Sequence, residues 1–115
     1  MATPSDSKIL VFLTCASLGE AEQIVRHLLS QRLIACAQVG THVHSYYHWK
    51  GKEEQATEYP VTLKTSMACF KRIEQEVRRL HSYEVPEIVA VPLCAGSLPY
   101  LQWMDENLGT KLPDQ

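Results

Sequence analysis

Residues 8–15, KILVFLTC, are apolar almost throughout and run into a polar loop. Such a run predicts a strand buried on both faces. Ser17 and Glu20 then stand in the order of a capping box, SLGE, and behind them Ala21, Ile24, Val25, Leu28 and Leu29 recur at helical spacing. The pattern predicts a helix with one buried stripe. Leu33 to Trp49 reads as a long strand-like segment, and WKGKE supplies a tight turn at Gly51. From Thr57 the apolar Tyr59, Val61 and Leu63 alternate with Glu58, Thr62 and Lys64, as in a half-buried antiparallel strand. Pro60 lies inside that alternation and cannot donate to a ladder, so it predicts a bulge or a locally unpaired edge. Ser66 is placed to cap a second helix with Phe70, Ile73, Val77 and Leu80 on one face. The charged positions of that helix, Lys71 to Arg79, form a solvated face. EIVAVPL, residues 87–93, predicts a fourth strand. AGSLPYLQWMDENLG, residues 95–109, predicts a short closing helix capped by Ser97 and stopped at Gly109.

The order is βαββαβ plus a C-terminal helix, which defines an α+β chain of ferredoxin-like arrangement: an antiparallel sheet with two helices on one face. The central hairpin is too long for so small a sheet. Its far end carries Tyr46, Tyr47, Trp49 and Tyr59 on unpaired edges. An edge of that kind invites aggregation unless another subunit covers it.

Composition narrows the function classes. The 115 residues fit one domain, expected over 8–115 behind a short polar tail, residues 1–7, expected to be disordered. A net charge of −2 without a basic run argues against a nucleic-acid partner. No apolar run is long enough to span a membrane, and the N-terminal stretch MATPSDSK lacks an apolar signal core, so a cytoplasmic setting is expected. Cys15, Cys36, Cys69 and Cys94 contain no C-x-x-C pair and are expected to be reduced thiols, the last three as small buried hydrophobes. No G-x-S-x-G, P-loop or H-E-x-x-H motif occurs, so no enzymatic reaction is expected.

The stretches RLIACAQV (32–39), SYYHWKGK (45–52), LKT (63–65), LHSYEVPEIVAVPL (80–93) and YLQWM (100–104), taken in this order, resemble the CutA family of divalent-cation tolerance proteins. The resemblance covers roughly residues 8 to 108, although GTHVH at 40–44 departs from the usual pattern. It implies a ferredoxin-like homotrimer linked to copper and other divalent cations, with no established reaction. It also implies a metal site using a cysteine near the end of the first strand and a histidine before the YE dipeptide. These map onto Cys15 and His81.

The predicted topology agrees, because it brings the end of the first strand, the start of the first helix, the end of the second helix and the start of the last strand to one rim. Cys15, His81 and Glu87 are therefore the candidate metal ligands, and soft sulfur with imidazole suits copper or zinc. The start of the first helix is expected to favour the Cys15 thiolate. His81 reads equally well as a cation offsetting the helix C-terminus. His42 and His44 form a secondary candidate, since alternate residues share a strand face; an exposed polar face is the plainer reading. His48 shares that face if no bulge intervenes, and His27 is expected to be isolated helix surface. Tyr47, Trp49, Lys64, Tyr83, Glu84 and Trp103 are candidates for a cleft or interface between subunits, with interface packing the favoured role. The alternative function is a PII-like trimeric sensor that binds an anionic metabolite at subunit clefts, for which Lys50, Lys52 and Lys64 would supply the charge.

Overall fold

The apolar run forms β1, Lys8–Cys15, which pairs on both sides and so lies inside the sheet. The structure, a computed structural model, describes residues 7–109. After β1 come α1 (Leu18–Ser30), β2 (Cys36–Val39), β3 (Val43–Trp49), β4 (Lys52–Ser66), α2 (Phe70–Leu80), β5 (Val89–Pro92) and α3 (Leu98–Asn107). The sheet order is β2-β4-β1-β5, with β3 paired to the outer part of β4, and every pairing is antiparallel. This is the expected ferredoxin-like arrangement. Most of the expected tail, residues 1–6, lies outside the described residues; Ser7 already accepts a hydrogen bond from the Met67 amide at 2.8 Å.

Ile9, Val11, Leu13 and Cys15 of β1 are buried with Ala21, Ile24 and Leu28 of α1 and with Ile73 and Val77 of α2. Leu10, Phe12 and Thr14, on the other face, are only half-buried. The expectation of burial on both faces therefore fails for the single chain, because both helices pack on the same side. The neighbours of Leu10 and Phe12 on β5, Val91 and Val89, are exposed.

The segment expected as one strand from Leu33 to Trp49 is divided. Val39 faces Val61 and Val43 faces Glu58, so residues 40–42 stand opposite only Pro60 and Tyr59. One extra residue against a proline is a bulge, as the position of Pro60 predicts. The Gly40 amide donates to the Pro60 carbonyl at 2.9 Å, and a Cβ on Gly40 would come within 3.2 Å of the Pro60 ring. The burial pattern of β4 changes parity here: Val61, Leu63 and Thr65 are buried on one side of the bulge, and Glu58 rather than Tyr59 on the other. The hairpin closes through Lys50 and Gly51, both with positive φ (52° and 80°), the geometry of a two-residue turn matched to strand twist.

The helix ends show which sequence signals held. Ser17 accepts from the Glu20 amide at 3.1 Å and starts α1. α1 ends in paired bonds, Leu33 N–H to Leu28 O and Arg32 N–H to Leu29 O, with Arg32 at φ 55° where glycine is usual. Leu29 falls off the buried stripe and is exposed. Ser66 does not cap α2: its hydroxyl contacts Cys69 Sγ at 3.7 Å, and a short 3-10 turn, Met67–Cys69, leads into the helix instead. Ser97 caps α3 through the Tyr100 amide. Cys69 is buried as expected, whereas Cys36 is half-buried and Cys94 is exposed. β5 is shorter than the expected 87–93.

Candidate functional site

The rim predicted from topology exists, with one carboxylate exchanged. The donor atoms of Cys15 (end of β1), Glu20 (first turn of α1) and His81 (end of α2) all lie within 4.8 Å of one another. Glu20 gets there from the first turn of α1, reaching back past the Ser17 cap. Its Oε1 accepts the Ala16 amide at 2.9 Å, and Oε2 reaches across to the Ser82 amide at 2.7 Å. Burial alone would raise the Glu20 pKa; these hydrogen bonds and the nearby His81 outweigh it and hold the carboxyl below its usual range. His81 ends α2, its amide bonded to Val77 O at 2.8 Å. Its ring Nε2 meets the Thr14 carbonyl at 2.7 Å, and Nδ1 accepts the Tyr83 amide at 3.0 Å. A carbonyl can only accept and an amide only donate, so the network assigns the neutral tautomer with the proton on Nε2. The Glu20 carboxylate stands 3.8 Å from Nδ1, too far for a hydrogen bond.

Cys15 is fully buried. Burial first, then the charges of Glu20 and Glu58, push its thiol up to about 12. This corrects the expectation of a thiolate: the dipole of α1 is outweighed by a dry setting and two carboxylates. Without a cation the cluster carries the single negative charge of Glu20 and latches three elements together.

Glu87 is not part of that group. It lines a neighbouring cavity of 720 Å³ with Glu58, Tyr83, Glu84, Tyr47 and Trp49. Glu58 is 7% exposed, and its Oε2 accepts the Tyr83 hydroxyl at 2.7 Å. Burial, then this hydrogen bond and the Glu58 charge, raise the Tyr83 phenol; burial and Glu58 also raise the Glu87 carboxyl. Tyr83 connects the two places, since its ring lies 4.7 Å from His81 while its hydroxyl is in the cavity. Glu20 and Glu58 were the residues that sequence reasoning missed. The capping-box spacing marked Glu20 as a helix start only; a glutamate inside a strand alternation gave Glu58 no signal at all.

The expected cleft residues divide in the single chain. Tyr47, Trp49, Tyr83 and Glu84 share the cavity, whereas Lys64 lies over Tyr100 of α3 (5.2 Å) and donates to its hydroxyl at 3.3 Å. Trp103 packs beside Tyr100 at 5.4 Å. Lys50 sits over Trp49 at 5.7 Å, outside the cavity lining. His42 and His44 are exposed with ring centres 6.0 Å apart. His27 is not isolated: its Nε2 lies 2.5 Å from Glu76 Oε1 on α2.

Fold and rim together define a ferredoxin-like α+β protein with a thiol, a carboxylate and an imidazole gathered at one end. The CutA1 divalent ion tolerance protein family matches residues 9–107, and the chain belongs to this family. The divalent-cation tolerance protein CutA of Archaeoglobus fulgidus is 38% identical over 98 residues, covering 85% of this chain and 95% of that protein. Protein CutA of Mus musculus is 36% identical over 108 residues, 89% of this chain but 61% of its own length. A solved structure described as the periplasmic divalent cation tolerance protein CutA from Archaeoglobus fulgidus superposes with a TM-score of 0.84 at 37% identity, covering 87% and 97% of the two chains.

Proposed function

We propose that this protein is a non-catalytic, homotrimeric binder of divalent cations, selective for copper or a similar borderline metal. The observation that carries the reading is the convergence of Cys15 Sγ, a Glu20 oxygen and a His81 nitrogen within 4.8 Å. That donor set fits a soft or borderline cation and not magnesium. In the cation-free fold the Glu20 oxygens and His81 nitrogens are hydrogen-bonded and the Cys15 thiol is protonated, so binding replaces the Cys15 proton and withdraws His81 Nδ1 from the Tyr83 amide. The exposed Ser82–Glu84 turn must shift to admit the ion. Glu87 supports the site from the cavity side, adding negative charge beside Glu58. The trimer is supported by the family match, by the exposed aromatic hairpin and by the apolar face around Val89 and Val91. The competing reading, an anionic metabolite, is disfavoured because Glu58, Glu84 and Glu87 line the cavity and, among the described residues, no lysine or arginine does.

Titration with copper and zinc tests this, using a His42→Ala/His44→Ala background so that only the rim is read. Cys15→Ser and His81→Gln should each weaken binding at least ~10-fold, since even outer-shell changes cost that much. Repeating the titration in buffers of different ionisation enthalpy should show release of the thiol proton. Equal affinity in both variants with no proton release would reject the rim as the site.

A further inference from the structure

We propose that His42 and His44 form a second, surface-exposed chelate for a borderline divalent cation, separate from the rim and independent of it. Residue 42 lies in the bulge and residue 44 is the second of the β3 ladder, opposite Thr57. The bulge brings the two exposed rings beside one another. The ring centres are 6.0 Å apart and the planes meet at 77°. A zinc-like ion bound at ~2.0–2.1 Å to each nitrogen lies roughly 3.2 Å from each ring centre. At the tetrahedral angle the two ring centres then stand roughly 5.2 Å apart, so side-chain rotation that draws the pair together by about 1 Å lets it share one ion.

The nitrogens of this pair are available. Neither ring makes a hydrogen bond among the described residues, in contrast to His81, whose two nitrogens are both engaged, and His27, which meets Glu76. The pair is also held in place. His42 lies edge-on against Tyr59 at 6.0 Å, and the bulge is pinned by the Gly40 amide on the Pro60 carbonyl. Two neutral imidazoles with the remaining positions open to water favour copper over zinc and exclude hard cations. His48 shares the face of His44 by parity but lies four residues further along β3, about 13 Å from His44, so it cannot join the same ion.

The test uses Cu(II) alone on the full chain carrying Cys15→Ser, which silences the rim thiol. Calorimetry gives the affinity, and electron paramagnetic resonance identifies coordinated imidazole nitrogens. One strong Cu(II) per chain with two such nitrogens is expected. His42→Ala and His44→Ala should each weaken it at least ~10-fold, with circular dichroism unchanged at these exposed positions. His48→Ala should leave affinity as it was. Binding should fade on acidification, because a protonated imidazole has no lone pair to give. Unchanged affinity in both single variants overturns the chelate, as does loss of binding on His48→Ala alone. If Cys15→Ser by itself removes all copper binding, the chelate is overturned while the rim reading stands.

Discussion

Cys15 and His81 meet at the rim in their neutral forms, and neutrality has a consequence that can be measured. The Cys15 thiol titrates at about 12 in the fold against an ordinary 9.0. Between those values the unfolded chain gives up its proton and the folded one does not, so unfolding gains. Stability from this group is intact below pH 9 and falls as pH rises towards 12. Urea unfolding of the wild type and Cys15→Ala at pH 7 and pH 10 should show their difference shrinking by about 1 kcal/mol at the higher pH. A constant difference would mean that the thiol is not held protonated. At this scale the sequence was half legible. Topology alone placed Cys15 and His81 on one rim, because strand and helix ends follow from element order. It chose Glu87 where the structure has Glu20, since a capping glutamate is normally consumed within its own turn. Here the second oxygen is left over and spans to Ser82, and no sequence spacing encodes a contact between two separate loops.

The two helices are joined by a small charged group that reads as three unrelated surface residues in the sequence. Glu76 of α2 meets Arg79 at 2.8 Å and His27 of α1 at 2.5 Å. The hydrogen bonds from Arg79, then His27, hold its carboxyl down at about 2 from an ordinary 4.5. A lowered carboxyl contributes stability above its unfolded value and loses it as pH falls through its folded one. The wild type should therefore weaken between pH 4.5 and 2 more steeply than Glu76→Gln, read from thermal melts in that window. Parallel acid profiles for the two proteins would leave the cluster without a role in joining α1 to α2. Arg32 offers a second comparison. It holds a left-handed backbone at φ 55° while its guanidinium donates to Glu106 O at 3.1 Å. Arg32→Ala loses the contact and keeps the strain, whereas Arg32→Gly loses the contact and relieves it. The glycine variant should be the more stable of the two by about 1 kcal/mol in chemical denaturation. Elements were the most legible level: the periodicities gave every helix and every strand except the division of Leu33–Trp49 into β2 and β3, and Pro60 gave the bulge that divides them. Ser66 misled because a serine before a helix is a cap only if its hydroxyl turns towards the helix amides, and here it turns to Cys69.

As a whole the chain is drawn out, with principal extents of 45 × 28 × 25 Å, and much of its aromatic surface is uncovered. Tyr46 is 73% exposed and Trp49 40%, both on the hairpin. Covering this surface in the proposed trimer couples folding to assembly, so the melting temperature should rise with protein concentration. Light scattering on the gel-filtered protein should give three times the chain mass, and Trp49→Ala should shift material to smaller species. A concentration-independent, reversible melt together with a monomer mass at micromolar concentration would remove the assembly. The sequence anticipated the overlong hairpin but not the open apolar face of β1, which a continuous hydrophobic run cannot distinguish from a strand covered on both sides.

β4 serves two structures at once: its outer part is half of the hairpin, and residues 59–66 form the ladder with β1. The inter-strand bonds of that ladder lie perpendicular to the strand axis. A pull on the hairpin tip along β4 therefore loads them side by side in shear and cannot unzip them one after another. The projecting ribbon is a stiff handle on the core: tension applied at its tip is felt first at the inner ladder and at Cys15, where β1 ends.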